Sequence, residues 1–363
     1  MTQRRRLDIM THKDSSDSLE EDRVHILATV PIDKMAHDRL GKVFPIVTAE
    51  KDDRETLLKL SEDAVGIISR GVARIDAEIM DTGRRMLFVT RTGAGFENID
   101  IEAATERGIP VVHAPLLGDS VAEATFAMIL SLTKRLPYWH ESLVTGNWNR
   151  RILERTYELR DKTLGIVGLG RIGAEVAGRG HGFKMRVVAY DPYLPKSRAN
   201  ELNVSLVSLD SLLAESDIIT VHAASTPEND ALINSGNIRR MKKGAYFLNF
   251  ARGALVESLD ILHEALVDGR LAGVGLDVFP VEPPTNLDHP LFSHPNFAGS
   301  PHVLATTVET EERCYRSMCR DVLAVLRGER PEWCVNPEVF DSPNLRTEGR
   351  IGGGQGLEAG GTE

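Results

Sequence analysis

The chain has 363 residues, of which 42% are hydrophobic and 26% charged, and its net charge is −10 at pH 7. This length suits two domains, the composition is that of a globular protein, and the acidic balance argues against nucleic acid or an anionic membrane as a general partner. Three cysteines, Cys314, Cys319 and Cys334, are too few and too scattered for a disulfide framework or a four-ligand zinc site, so no metal is expected. No run of 18 apolar residues offers a membrane span. The opening Met1-Thr2-Gln3-Arg4-Arg5-Arg6 has no apolar stretch behind it, so a cytoplasmic setting with reduced thiols is expected.

Residues 1–23 are polar and mixed in charge and are expected to form a disordered tail. Short apolar runs at 25–29, 44–48, 66–69, 87–90 and 110–113 then read as strands. Stretches such as 55–63 and 101–107 between them read as helices. A long helical pattern at 120–135 intervenes. A second series of strands follows at 165–167, 186–190, 217–222, 245–250, 273–278 and 296–298, separated by helical stretches such as 206–214 and 258–266. A last helical pattern runs over 307–327, and residues 341–363 read as a Gly-rich tail.

Alternating strands and helices imply α/β architecture built from βαβ units with parallel sheets. Two such halves form a loose internal duplication. The expected layout is a discontinuous substrate domain, 24–117 plus 308–340, with a Rossmann-type dinucleotide-binding domain, 118–307, inserted into it.

The glycine fingerprint lies only in the second half. The apolar run Thr163-Leu164-Gly165-Ile166-Val167 feeds directly into Gly168-Leu169-Gly170-Arg171-Ile172-Gly173. In G-x-G-x-x-G the first glycine makes a tight turn, the second lets backbone approach a pyrophosphate, and the third lets helix pack closely on strand. The following helix points free N–H groups at the phosphates. Asp191, 18 residues past Gly173, ends the next apolar run at the spacing of the acid that grips an adenosine ribose. A carboxylate there favours NAD over NADP.

Ligands of such sheets bind beyond the carboxyl ends of the strands. Four polar residues stand at those positions: Arg252, Asp277, Glu282 and His302. Each has a plainer reading as a strand cap, a paired surface charge or a satisfied loop histidine, although an unpaired carboxylate inside an apolar run such as Asp277 costs several kcal/mol. Together they have a chemical use. Arg252 can grip a carboxylate with its planar fork of donors, His302 can donate a proton to the neighbouring carbonyl, and Glu282 can hold the imidazole in place.

These residues and their surroundings resemble the D-isomer-specific 2-hydroxyacid dehydrogenases over about residues 24–338, including the phosphoglycerate dehydrogenase branch. The motifs are Arg91-Thr92-Gly93-Ala94-Gly95-Phe96-Glu97-Asn98-Ile99-Asp100, Ser120-Val121-Ala122-Glu123, the glycine loop, Met241-Lys242-Lys243-Gly244-Ala245, Ala251-Arg252-Gly253, Leu276-Asp277-Val278-Phe279, Glu282-Pro283 and Pro301-His302-Val303. The resemblance implies an NAD-dependent oxidoreductase acting on CH–OH donors. It implies Arg252 as substrate-orienting residue, Glu282 as the acid paired with the histidine, and His302 as general acid/base. Cofactor contacts are implied for Gly168, Gly170, Arg171, Ile172, Gly173, Asp191, Ala223, Phe250, Ala251, Arg252, Asp277 and His302, with Asp277 on the nicotinamide carboxamide. Substrate contacts are implied for Arg70, Gly93, Ala94, Gly95, Arg252 and His302; a solvated Arg70 is the plain alternative.

Ala223 stands where many members carry Thr, His113-Ala114-Pro115 replaces Asn-x-Pro, and Pro280 replaces a common Glu. No regulatory domain is expected after residue 340. A small 2-oxo or 2-hydroxy acid is the expected partner, and a homodimer through the NAD-binding domain is expected, with 121–132 and 138–148 as candidate contacts. Two other readings share the catalytic set: an NAD-sensing scaffold of the C-terminal-binding-protein corepressor type, and a phosphite-type dehydrogenase. A formate-type enzyme would carry Gln in place of Glu282.

Overall fold

A computed structural model describes residues 24–346 apart from Val72 and Glu154. The described chain divides into two compact units. One runs to Leu116 and resumes at Val308; the other is Leu117–Thr307.

The first unit alternates strand and helix: β1 (His25–Ala28), α1 (Lys34–Leu40), β2 (Ile46–Thr48), α2 (Arg54–Ser61), β3 (Ala64–Ser69), α3 (Ala77–Thr82), β4 (Phe88–Arg91), α4 (Ile101–Glu106) and β5 (Val111–Val112). All pairings are parallel, in the order β2-β1-β3-β4-β5, the flavodoxin-like arrangement. All six residues of β3 are buried, which is why it reads as a continuous apolar run: helices cover a parallel sheet on both faces. The four helices start alike. Asp33, Asp53, Asp76 and Asp100 each accept a backbone N–H from the first turn, and each such cap stabilises a helix by about 1 kcal/mol.

The second unit begins with three helices, α5 (Gly118–Lys134), α6 (Leu136–Val144) and α7 (Arg150–Leu153). Then come β6 (Thr163–Val167), α8 (Arg171–Gly182), β7 (Arg186–Tyr190), α9 (Lys196–Glu201), β8 (Ser205–Leu206), α10 (Leu209–Glu215), β9 (Ile218–Val221), α11 (Ser235–Arg240), β10 (Ala245–Asn249), α12 (Leu259–Val267), β11 (Leu271–Leu276) and β12 (Phe297–Gly299). The parallel sheet is ordered β12-β11-β10-β9-β6-β7-β8. Counted within the unit this is 7-6-5-4-1-2-3, the doubly wound Rossmann order. Alternate residues feed two cores, one on each face: Val167, Val188 and Phe247 pack in one, Ile166, Val187, Ala189 and Leu248 in the other.

The chain re-enters the first unit with α13 (Val308–Leu326), eleven of whose 19 residues are buried. Beyond it Asn336 is fully buried. Its side chain accepts the Val111 N–H at 2.8 Å and donates to the Ile109 carbonyl at 3.1 Å.

Two expectations are corrected. The helix expected over 206–214 is the strand β8 followed by α10, because the Ser208 hydroxyl accepts the Ser211 N–H and starts the helix there. Residues 341–346, expected as tail, are placed on the first unit. Arg346 donates its backbone N–H to Gly108 at 2.9 Å and its guanidinium to the Gly83 and Arg107 carbonyls at 2.9 and 3.0 Å. The remainder of the expected tails, 1–23 and 347–363, lies outside the described residues.

Candidate active site

Strand order reverses between β6 and β9, and the glycine turn sits at the carboxyl end of β6, where open α/β sheets bind ligands. Each of its glycines has a distinct reason to lack a side chain. Gly168 adopts φ +89°, and a Cβ there would meet Ala223 backbone at 2.6 Å. A Cβ on Gly173 would fall 2.2 Å from the Gly168 carbonyl oxygen and 3.3 Å from Ile166 Cγ2, so helix α8 packs directly on its strand. Gly170, the residue before α8, faces open space. A phosphate can therefore approach its backbone. Arg171 and Ile172 form the first turn of α8.

Asp191, just past β7, closes the turn from the other side. Its Oδ2 accepts the Leu169 N–H at 2.9 Å, and its Oδ1 accepts the N–H groups of Tyr193 and Leu194. The carboxylate is thus fixed beside the glycine turn.

Across the turn, His222 is partly buried, with its ring nitrogen Nδ1 shut off from solvent. Its Nε2 lies 2.9 Å from the Thr220 hydroxyl, while its Nδ1 has no partner among the described residues. Burial pushes its pKa down to about 3, so the ring is neutral at ordinary pH. An open glycine and an orphaned buried nitrogen at the switch point fit a dinucleotide.

The next strands carry the four polar residues. After β10, Asn249 braces the turn that presents Arg252. Its side chain accepts the Ala251 N–H at 3.0 Å and donates to the Arg252 carbonyl at 2.8 Å, and it is fully buried. Phe250 and Ala251 are buried within this turn. The Arg252 guanidinium donates to the Ala251 carbonyl at 2.7 Å. Gly253 must be glycine, since a Cβ would strike the Phe279 carbonyl oxygen at 1.9 Å. The Arg252 turn and the segment leading to Glu282 therefore touch backbone to backbone.

Asp277 is 4% exposed. Its Oδ1 accepts the Ser300 hydroxyl at 2.6 Å and the Val303 N–H at 3.1 Å. These partners flank His302, so Asp277 clamps the histidine's loop. His302 itself has φ +53°, the left-handed region that costs most residues about 1–2 kcal/mol.

The His302 ring meets Glu282 with Nδ1 2.7 Å from Oε2, while Glu282 Oε1 accepts the Phe279 N–H at 2.9 Å. The histidine side chain is 47% exposed and the glutamate's 33%. An ion pair this open contributes at most about 1 kcal/mol to stability. Its effect is orientation: Nδ1–H donated to Glu282 directs Nε2 outward.

The second unit thus gathers the glycine turn, Asp191, Ala223, Arg252, Asp277, Glu282 and His302 along the carboxyl ends of one sheet. Arg70, Gly93, Ala94 and Gly95 belong to the first unit. There Arg70 is neither bare nor simply solvated. Its guanidinium donates to Glu311 at 2.7 Å and to the Tyr315 hydroxyl at 3.0 Å, both on α13. The Gly93 carbonyl accepts the Ala114 N–H at 3.1 Å, the Ala94 carbonyl lies 3.2 Å from His113 Nδ1, and a Cβ on Gly93 would meet nothing. Asn98 braces this region. It accepts from Arg91 at 2.7 Å and donates to Ser69 and the Ala73 carbonyl.

Sequence reasoning missed His222, Asn249 and Ser300, and gave Asn98 no role although it lies in the Arg91–Asp100 motif. For Asn249 and His222 a signal existed, a polar side chain ending a buried strand. Among the described residues no group of His, Cys, Asp and Glu could hold a metal ion, and no helix is long and apolar enough to cross a membrane.

Comparison with known proteins agrees with this fold. Residues 126–303 match the model of the D-isomer specific 2-hydroxyacid dehydrogenase, NAD binding domain. The chain is 38% identical over 327 residues to a D-3-phosphoglycerate dehydrogenase of Methanocaldococcus jannaschii, covering 90% of this chain and 61% of that one. It spans only about six tenths of the phosphoglycerate dehydrogenases it matches. A glyoxylate reductase of Thermofilum pendens is 38% identical over 304 residues, covering 81% of this chain and 89% of the relative. Among solved structures, D-lactate dehydrogenase from Aquifex aeolicus, complexed with NAD and lactic acid, superposes with TM-score 0.74 at 30% identity, covering 84% of this chain and 96% of that one. With an NAD-binding domain of this type and relatives matched over most of their length, the chain belongs to the D-isomer specific 2-hydroxyacid dehydrogenase family.

Proposed function

We propose that this protein is a cytoplasmic, NAD-dependent oxidoreductase that interconverts a small 2-oxo acid and the corresponding D-2-hydroxy acid. The observation that carries the reading is the His302–Glu282 pair, 2.7 Å apart, on the same sheet as the glycine turn and Arg252. The glycine turn and Asp191 would hold NADH, which would supply the hydride for the carbonyl carbon. The chain's own residues do the rest. Arg252 holds the substrate carboxylate by two parallel N–H···O bonds and turns the adjacent carbonyl toward His302. His302 gives the proton on Nε2 to the carbonyl oxygen, which becomes the hydroxyl, and takes it back in the reverse direction. Glu282 holds Nδ1–H, fixing the tautomer and the orientation of the ring. Asp277 keeps the loop in register.

Asp191 supports NAD over NADP, since its fixed carboxylate would repel a 2′-phosphate. The test is a reduction panel of glyoxylate, hydroxypyruvate, phosphohydroxypyruvate and bulkier 2-oxo acids, each with NADH and NADPH. The expected result is turnover of at least one acid with NADH preferred by about tenfold or more, a difference of about 1.4 kcal/mol. NADH binding without turnover of any acid would favour the scaffold reading instead, and reduction of NAD by phosphite in a parallel assay, with no acid turned over, would favour the phosphite-type one.

We further propose a homodimer through the second unit. Leu143, Val144, Trp148 and Ile152, on and between α6 and α7, are 58–66% exposed, an apolar group of the kind that marks an interface. Light scattering should give twice the chain mass, and Trp148→Asp with Ile152→Asp should shift it to the monomer. An unshifted mass would place the interface elsewhere.

A further inference from the structure

A concavity of about 340 Å³ in the first unit is lined by Arg39, Leu116, Arg313, Arg316, Ser317 and Arg320. None of these residues has a part in the reaction proposed above. Four arginines around one hollow are unexpected on a chain whose net charge is −10, because like charges brought together repel unless something neutralises them. Positions 313, 316, 317 and 320 fall on one face of α13. Arg39 comes from the last turn of α1, which packs against that helix.

The acids nearby neutralise only half of the cluster. Arg316 donates twice to Glu312, at 3.0 and 2.6 Å. Arg320 makes a two-point pair with Asp321, at 2.8 and 3.1 Å, and reaches Glu332 at 2.6 Å. Among the described residues Arg313 donates only to the neutral Thr310 hydroxyl, at 3.1 Å. Neither Arg313 nor Arg39 has a carboxylate within ion-pair distance among the described residues. Ser317, 5% exposed, lines the same hollow. Its hydroxyl oxygen accepts from Arg320 at 3.2 Å, and its own proton has no acceptor among the described residues. A buried donor without an acceptor is costly, and here it belongs to a residue that lines the hollow together with two arginines lacking a carboxylate partner among the described residues.

We propose that this hollow is a binding site for a small phosphate monoester. The phosphoryl oxygens would take the forks of Arg39 and Arg313 and the Ser317 O–H. A guanidinium fork matches phosphate two-pointed, which a lysine cannot do. The volume lies at the lower end of the range for small-molecule pockets, so it suits a metabolite of a few carbons rather than a dinucleotide. α13 also carries, on another face, the Glu311 and Tyr315 that hold Arg70, so a ligand gripping this helix acts on the element that positions that arginine.

Titration calorimetry of the full chain with saturating NADH, using inorganic phosphate and glycerol 3-phosphate as probes, tests this. Glycerol 3-phosphate is expected to bind, and more tightly than inorganic phosphate. Arg39→Gln with Arg313→Gln should weaken it at least about tenfold, about 1.4 kcal/mol, with oxo-acid turnover unchanged. Ser317→Ala should weaken it by a smaller factor. Arg252→Gln should leave the binding isotherm as it is. Should the double variant fail to fold, the single substitutions at these surface arginines give the same reading. Absence of binding, or a double variant that binds like the parent, would overturn the site. Loss of binding in Arg252→Gln alone would assign the anion to the reaction site. Tighter binding of inorganic phosphate would overturn the ester as ligand.

Discussion

His302→Ala is expected to lower turnover by at least about 10²-fold, the usual contribution of a positioned general acid/base, while NADH binds as before. The split follows from the layout. His302 stands beyond β12, held by the Asp277 clamp on Ser300 and Val303, whereas the glycine turn and Asp191 stand at β6 and β7. Removing the imidazole deletes the proton on Nε2 and touches nothing that builds the turn. Steady-state turnover on the best acid of the panel, beside NADH fluorescence titration, measures the two quantities separately. Unchanged turnover would remove His302 from the mechanism. Loss of NADH binding in step with turnover would make its role structural.

Arg252→Ala should lower kcat/KM by about 10²–10³-fold, since two charge-assisted hydrogen bonds to a carboxylate are each worth about 1.5–3 kcal/mol and are partly replaced by water. Arg252→Lys restores the charge without the planar fork, and is expected to recover less than about tenfold of that loss. A lysine variant close to the parent would mean that Arg252 supplies only a local positive potential. The turn itself should survive either substitution, because Asn249 bonds backbone groups at Ala251 and Arg252 rather than the arginine side chain. Equal unfolding midpoints for parent and variants would verify that.

The architecture was largely legible in the chain. Apolar runs of three to six residues that alternate with capped amphipathic stretches leave little choice but parallel sheets covered by helices. β8 escaped because its pattern is only two residues long and runs into the Ser208 cap. The polar residues at strand ends were also legible, since a sheet presents its carboxyl ends to ligands whatever the loops do. What holds them was not. Asn249 and Ser300 act through backbone turns, and nothing in a residue's identity says which carbonyl or N–H a loop will bring to it. The pairing of Glu282 with His302 was suggested by chemistry, but the left-handed backbone at His302 that aims the ring depends on the Asp277 clamp and has no local signature. For Arg70, the Glu311 and Tyr315 partners lie more than 240 residues away in the chain, beyond the reach of any periodicity.

The buried Asn336 has a consequence for how the protein is made. Its bonds to Val111 and Ile109 span 225 and 227 residues, and the whole of Leu117–Thr307 lies within that interval. At about 5–20 residues per second, the ribosome adds Asn336 roughly 10–45 s after Val111. The unit encoded second is contiguous and complete in its strands before then, while the unit encoded first still lacks α13 and Asn336. Folding during synthesis therefore inverts the order of the gene: the nucleotide-binding half can close first, and the amino-terminal half waits for the end of its own chain.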